Sequence, residues 1–232
     1  PKSAFGGIVA LNRECDEETA SQIIDSFKEV VVAPGYTDAA LETLFEKENL
    51  RVLNVSNKIG RTGSSGRPAA YDVTETLTEK KLVGGRLVQE RDTQSLTAAA
   101  LEVVTEREPT DEQVEAMLFA WQTIKHVKSN AIVLAKGTET VGVGAGQVSR
   151  VDAVEIADMK ARKDAEGKSP EGSVMASDAF FPFPDGIEKA AEAGVEAVIQ
   201  PGGSKNDDMV IEAADDHNVA MVMTGQRAFR HD

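Results

Sequence analysis

The chain has one cysteine, Cys15, in 232 residues. No internal disulfide can form, so the fold has to be held by a packed core, as suits a reducing, cytoplasmic compartment. There are three histidines, His126, His217 and His231, and none has a second His or a Cys at metal-ligand spacing. With no CxxC either, a zinc site is not expected. No run approaches the ~18 apolar residues of a membrane span. The opening residues, Pro1 to Gly7, carry no signal-peptide pattern. They read as the interior of a longer polypeptide, because a strand-like run, Ile8-Val9-Ala10-Leu11, begins almost at once. A GxSxG elbow and a Walker A loop are missing, Gly142-x-Gly144-x-Gly146 lacks the GxGxxG spacing, and no short repeat suggests a solenoid. Positive charge is scarce: 25 Lys and Arg stand against 39 Asp and Glu, for a net charge of -14. Such a surface repels phosphate backbones, which argues against nucleic acid as a partner. The acidity reads as a solubility device before a docking surface for something basic. An anionic ligand would then need a local pocket built from a few Arg and Lys.

What is present is ample apolar side chain. Hydrophobic residues make up 41% of the chain, enough for one large domain or two small lobes. Strand and helix patterns alternate, which predicts an α/β fold. A strand at 8–11, a helix at 16–29 with Asp16 as N-cap, a strand at 30–33 closed by Pro34-Gly35, a helix at 37–48 and a strand at 51–55 follow in order. The Gly-, Ser- and Thr-rich stretch 56–79 reads as a connection, giving a first lobe with its connection at 1–79 and a second lobe at 80–232. Residues 82–91 suggest strand structure around Gly84-Gly85. A long helix is expected at 110–127, capped by Thr110 or Asp111, with Met117, Leu118, Trp121 and Ile124 on its core face. Strands at 131–135 and 141–143 flank a Gly137-Thr138 turn. A helix at 151–163 and a polar loop to about 173 come next. The chain closes with a helix at 186–193, a strand at 197–199, a helix at 206–216 and a strand at 219–223.

Five segments carry possible chemistry. The run Gly142-Val-Gly-Ala-Gly-Gln-Val-Ser-Arg150 leaves a strand and enters a helix. Its glycines admit either a closely approaching ligand or a plain turn, and Arg150 offers a two-hydrogen-bond clamp for an anion. In Ser177-Asp-Ala-Phe-Phe-Pro-Phe-Pro-Asp-Gly186, three of eight phenylalanines fall within four residues. Pro182 interrupts them, which suits a stiff loop over a flat ring. Asp185 there can cap the next helix or accept from an NH-rich heterocycle. Pro201-Gly-Gly-Ser-Lys205 lies between a strand and a helix, where α/β sheets bind ligands, or is a simple turn. The closing Gln226-Arg-Ala-Phe-Arg-His-Asp232 concentrates positive charge, with Phe229 as a possible anchor. Lys125-His126 ends the long helix, either as electrostatic stabiliser and general base or as residues placed there by the helix dipole.

Taken together, SAFGGIVALNRE, VVVAPGY, IKHVKSNAIVLAK, GVGAGQVSR, SDAFFPFPDGIEKAAEAGVEAVIQPGGS and QRAFRH, in that order from Ser3 to His231, resemble the AICAR transformylase domain of the AICAR transformylase/IMP cyclohydrolase family. The resemblance implies two cytidine-deaminase-like lobes of layered α/β/α structure without zinc, the first lobe incomplete here. It implies a homodimer that transfers a formyl group from 10-formyltetrahydrofolate to the 5-amino group of AICAR, giving FAICAR for purine synthesis. By motif, Gly6, Glu29 and Arg227 would contact AICAR, Arg227 through the phosphate. Asn130 would reach AICAR from the partner subunit. Arg150, Phe180, Asp185, Ser204 and Lys205 would line the folate site, and His231 would sit by the reaction centre.

In the family the catalytic Lys-His pair precedes the SxFG motif, so the resemblance puts that pair, and the cyclohydrolase domain, outside these residues. Lys125-His126 matches the second-lobe segment instead. Little transferase activity is therefore expected of the 232 residues alone. The alternative is a non-catalytic folate- or nucleotide-binding subunit that completes a site with a partner polypeptide; a third reading is a structural remnant.

Overall fold

A computed structural model describes residues 5–55, 77–90, 92, 94–163 and 169–230. The fold is mixed α/β, and the chain divides into two compact units, 1–91 and 92–232. Most of the connection expected at 56–79 lies outside the described residues.

In the first unit, β1 (Gly7–Ala10), β2 (Lys28–Ala33) and β3 (Arg51–Asn54) form a parallel sheet in that order. The strands are joined by α1 (Glu17–Ile24) and α2 (Asp38–Phe45). Each helix starts where a side chain accepts from its first turn: Asp16 from the Thr19 amide at 2.9 Å, Thr37 from the Ala40 amide at 3.2 Å. The small core joins Cys15, Ala20, Ile23, Val31, Ala33, Ala40 and Leu44. The helix expected to run to residue 29 stops at Ile24, because Lys28 is already paired beside Gly7 in the sheet. Beyond 76 the chain forms a hairpin, β4 (Leu77–Leu82) and β5 (Gly85–Glu90), turning at Val83-Gly84. Gly84 adopts φ 86°, a left-handed conformation that glycine takes without steric cost.

The second unit is built on one six-stranded sheet, ordered β6-β11-β10-β9-β7-β8. Its strands are β6 (Glu102–Val103), β7 (Ile132–Lys136), β8 (Glu139–Gly144), β9 (Ser173–Ser177), β10 (Val195–Gln200) and β11 (Ala220–Met223). β9, β10 and β11 are parallel; β7 runs antiparallel to β8 and β9, and β6 antiparallel to β11. Strand residues alternate between two cores. Val133, Val174, Ala176, Ile199 and Val222 face α3 (Asp111–Ile124), whose Met117, Trp121 and Ile124 are buried. Leu134, Met175, Val198 and Met221 face α4 (Arg150–Lys163), α5 (Asp185–Ala193) and α6 (Asp207–Asp216). Each such fully buried side chain contributes about 1.5–3 kcal/mol. Thr110 caps α3 with a complete capping box to Gln113, resolving the choice between Thr110 and Asp111.

Candidate functional site

The topology gathers the second unit's candidate segments at one edge of its sheet. The loops 178–184, 201–206 and 224–230 leave the carboxyl ends of β9, β10 and β11. The antiparallel β7 starts at that edge just after Asn130, and β8 ends there before the turn to Arg150. This is where open α/β sheets bind ligands. Hydrogen bonds tie the loops together. Ser129 N–H donates to the Arg230 carbonyl, and Arg230 N–H to Ser129 Oγ, both at 2.9 Å. The Ala228 N–H donates to the Asp178 carbonyl at 2.9 Å, and the Gly225 N–H to the Pro201 carbonyl at 3.0 Å. The closing segment thus returns across the strand ends. Its anchor is the buried Ala228; Phe229 remains 47% exposed.

Beneath this edge lies a buried polar centre. Arg150, 8% exposed, donates to the carboxylate of Asp178, which is fully buried. The same guanidinium donates to the Ala131 carbonyl at 3.2 Å and to Asn130 Oδ1 at 3.0 Å. Asn130 Nδ2 in turn donates to the carbonyls of Gln147 and Val148 at 3.0 and 3.1 Å. The Asn130 amide is therefore fixed in orientation at both ends. The Arg150 charge is balanced by Asp178, and its two terminal nitrogens are engaged by Asp178, Ala131 and Asn130, while its buried Nε has no hydrogen-bond partner. The glycines of the same run are explained by packing. A Cβ on Gly142 would stand 2.3 Å from the Ala157 carbonyl oxygen, and one on Gly144 1.9 Å from that of Ala153, so both serve the approach of β8 to α4.

Above the centre, the half-buried Phe180 ring carries the Arg227 guanidinium 4.9 Å from its centroid, with the Phe229 ring 5.9 Å from the same group. This cation–π stack holds an exposed positive charge at the sheet edge. Asp185 is the first residue of α5; the N-cap is Pro184, which makes no side-chain cap. The Asp185 carboxylate accepts only locally, from the Gly186 amide at 2.8 Å, and stands exposed. Phe181 is the core residue of the aromatic run, packed where a Cβ on Gly186 would lie 2.6 Å away. Ser204 is half-buried and Lys205 exposed on the next loop, which Asn206 Nδ2 joins to the Pro182 carbonyl at 2.6 Å.

Lys125 is the C-cap of α3, and its ammonium pairs with Asp92 at 3.0 Å and donates to the Gln94 carbonyl. It acts as a structural tie, while His126 is exposed. In the first unit, Gly6 (φ 72°) and Glu29 are neighbours: a Cβ on Gly6 would lie 3.9 Å from Glu29 Oε1. Arg51 approaches the other Glu29 oxygen at 3.9 Å. His231 lies outside the described residues. Asp178, Asn206 and Ala228 were not among the expected site residues. Asp178 sat unmarked beside the phenylalanines, and its buried pairing with Arg150 spans 28 positions. Among the described residues no His, Cys, Asp or Glu group is arranged to hold a metal, and no helix is long and apolar enough to cross a membrane.

Similarity to known proteins agrees with the motif pattern. Two proteins named bifunctional purine biosynthesis protein PurH match the whole chain. The one from Magnetococcus marinus is 50% identical over 236 residues, and the one from Anoxybacillus flavithermus 49% over 231. The chain spans 42% of the length of each. A solved structure described as structural genomics protein ybgI, of unknown function, aligns at 11% identity with a TM-score of 0.22, covering 98% of this chain and 77% of that one. That likeness is too low to carry a statement about fold. The family model described as AICARFT/IMPCHase bienzyme matches residues 1–160, and with it this chain belongs to the AICARFT/IMPCHase bienzyme family.

Proposed function

We propose that the chain serves formyl transfer from 10-formyltetrahydrofolate to the 5-amino group of AICAR, giving FAICAR in purine synthesis. The observation that carries this reading is the convergence of Asn130, Phe180, Asp185, Ser204-Lys205 and Arg227 at one sheet edge, in a chain of this family. The half-buried Phe180 suits a flat ring, and the exposed Asp185 carboxylate suits the N–H edge of a pterin. Ser204 and Lys205 complete the folate side. Arg227 is an exposed guanidinium fit for the phosphate of AICAR. Arg150, paired beneath the surface, acts in this reading through Asn130, whose orientation it fixes. Gly6 and Glu29 are the proposed AICAR contacts of the first unit. The lobes are read as cytidine-deaminase-like, and the working assembly as a homodimer in the cytoplasm with Asn130 contributed across the subunits.

The chemistry sets what remains to be supplied. The AICAR amine is a weak nucleophile because its lone pair is delocalised into the ring and carboxamide. Transfer needs removal of its proton and stabilisation of a tetrahedral oxyanion. His231 is the proposed proton-handling residue of this chain. The resemblance assigns the base to a Lys-His pair other than Lys125-His126, and Lys125 is committed to Asp92. That commitment favours a second reading, a binding subunit that orients both ligands while a partner polypeptide supplies the base. Calorimetric titration tests both: AICAR and 5-formyltetrahydrofolate, a stable isomer of the co-substrate, should each bind the 232-residue chain. Binding of neither would defeat both readings.

A further inference from the structure

Asn206 occupies the N-cap of α6, where an asparagine side chain ordinarily accepts from the first turn of the helix. It makes no such bond. Its side-chain amide donates instead to the carbonyl of Pro182 at 2.6 Å, on the neighbouring loop, and its backbone N–H donates to Ser204 Oγ at 3.2 Å. The turn before the helix is held by another carboxylate: Asp207 Oδ2 accepts from the Gly203 amide at 2.7 Å and the Ser204 amide at 3.1 Å. A residue type suited to capping is thus used as a strap between two loops.

The strap reaches the loop directly after the buried Phe181. β9 and β10 are adjacent parallel strands, so the loops 178–184 and 201–206 leave the sheet side by side. The first is fixed at its start through Asp178 and Phe181. At its end the Pro184 carbonyl accepts from the Ile187 and Glu188 amides at 2.8 and 3.0 Å. Between these, Pro182 has no N–H, so its carbonyl is the one backbone group by which residue 182 can be tethered.

Resting on the functional reading above, we infer that Asn206 is a positioning residue for folate. By holding the Pro182 carbonyl it sets the separation between Phe180 on one loop, with Asp185 at the start of the helix that follows it, and Ser204 with Lys205 on the next loop. It touches no reacting atom; it pre-forms the cleft between the loops, so that less ordering remains to be done on binding.

Asn206→Asp and Asn206→Ser separate this role from helix capping. Both keep a good N-cap residue; the Asp carboxylate has no donor for Pro182, and the Ser hydroxyl donor sits one bond short of the amide that reaches it. Three readouts on the 232-residue chain are expected: an unchanged or raised thermal midpoint, faster amide hydrogen exchange in residues 179–186 without ligand, and about fivefold weaker 5-formyltetrahydrofolate binding. AICAR affinity should stay at the wild-type value. Unchanged loop exchange, wild-type folate affinity in both variants, or a matching fall in AICAR affinity and thermal midpoint would overturn the inference. Faster loop exchange in the variants of a wild-type chain that binds no folate would leave the strap standing and overturn the folate reading, and with it the assignment of Asn206 to that ligand.

Discussion

Gly144→Ala puts one methyl group where β8 meets α4. The new Cβ would stand 1.9 Å from the Ala153 carbonyl oxygen and 2.8 Å from its carbon. Ordinary carbon–oxygen contacts begin at about 3.3 Å, so strand and helix must separate by roughly 1.4 Å. The obstruction is backbone, which cannot rotate aside as a flexible side chain would. Overpacking of this kind costs about 1–3 kcal/mol, and a helix-wide displacement that also loosens Ala157 and Ala161 belongs near 3 kcal/mol. That is a large part of the ~5–15 kcal/mol by which a domain is stable. The displacement has a second consequence, because Ala153 lies one turn into a helix whose first residue is Arg150. Moving that turn draws the guanidinium from Asp178 and Asn130. Urea denaturation followed by the fluorescence of Trp121, the only tryptophan and buried on the same sheet, reads the stability; calorimetry reads AICAR affinity. Gly85→Ala is the control: its φ is not positive and nothing lies within 4 Å of its added Cβ, so it should be neutral or slightly stabilising. If Gly144→Ala stays within about 1 kcal/mol of wild type and binds AICAR normally, the packing reading of the glycine run is wrong.

Further outcomes follow from the buried centre and its surroundings. Asp178→Asn leaves the Arg150 charge buried without its counter-charge and should cost about 3–5 kcal/mol in the same denaturation assay. Arg227→Ala removes an exposed guanidinium, so AICAR should bind about 10- to 100-fold more weakly while the denaturation midpoint stays put. Burial, with a smaller push from the Asp16 carboxylate, raises the Cys15 thiol pKa. The unfolded thiol ionises first, near pH 8.5, so this contribution to stability is intact below that pH and lost as pH rises through the folded value. Denaturation midpoints measured across alkaline pH should fall less steeply in Cys15→Ala.

The α/β alternation was legible because helix and strand periods differ and because Asp16, Thr37 and Thr110 mark helix starts. The strand β9 was not. Ser173-Val-Met-Ala-Ser177 is central and buried on both faces, so it shows no alternation, and its serines read as loop. The run from Gly142 to Arg150 marked a strand-to-helix junction correctly, but spacing cannot say whether a glycine faces a ligand or a helix. Here Gly142 and Gly144 face α4. Arg150 stood out as a clamp for an anion, and its partner could not be read because Asp178 comes next to it only when β7 pairs with β9. Asp185 had two possible roles; the structure gives the N-cap to Pro184 and leaves the carboxylate exposed. Asn206 carried no mark in the sequence, because its link to Pro182 exists only through the adjacency of two parallel strands.

The central claim is that the loops after β9, β10 and β11 form one folate and AICAR site. A crystal structure of the chain with AICAR and 5-formyltetrahydrofolate tests it most directly. The pterin should lie against Phe180 with its N–H edge on the Asp185 carboxylate, and the AICAR phosphate on Arg227 drawn off the Phe180 ring. Either ligand bound away from that sheet edge, with Phe180, Asp185 and Arg227 untouched, would contradict it.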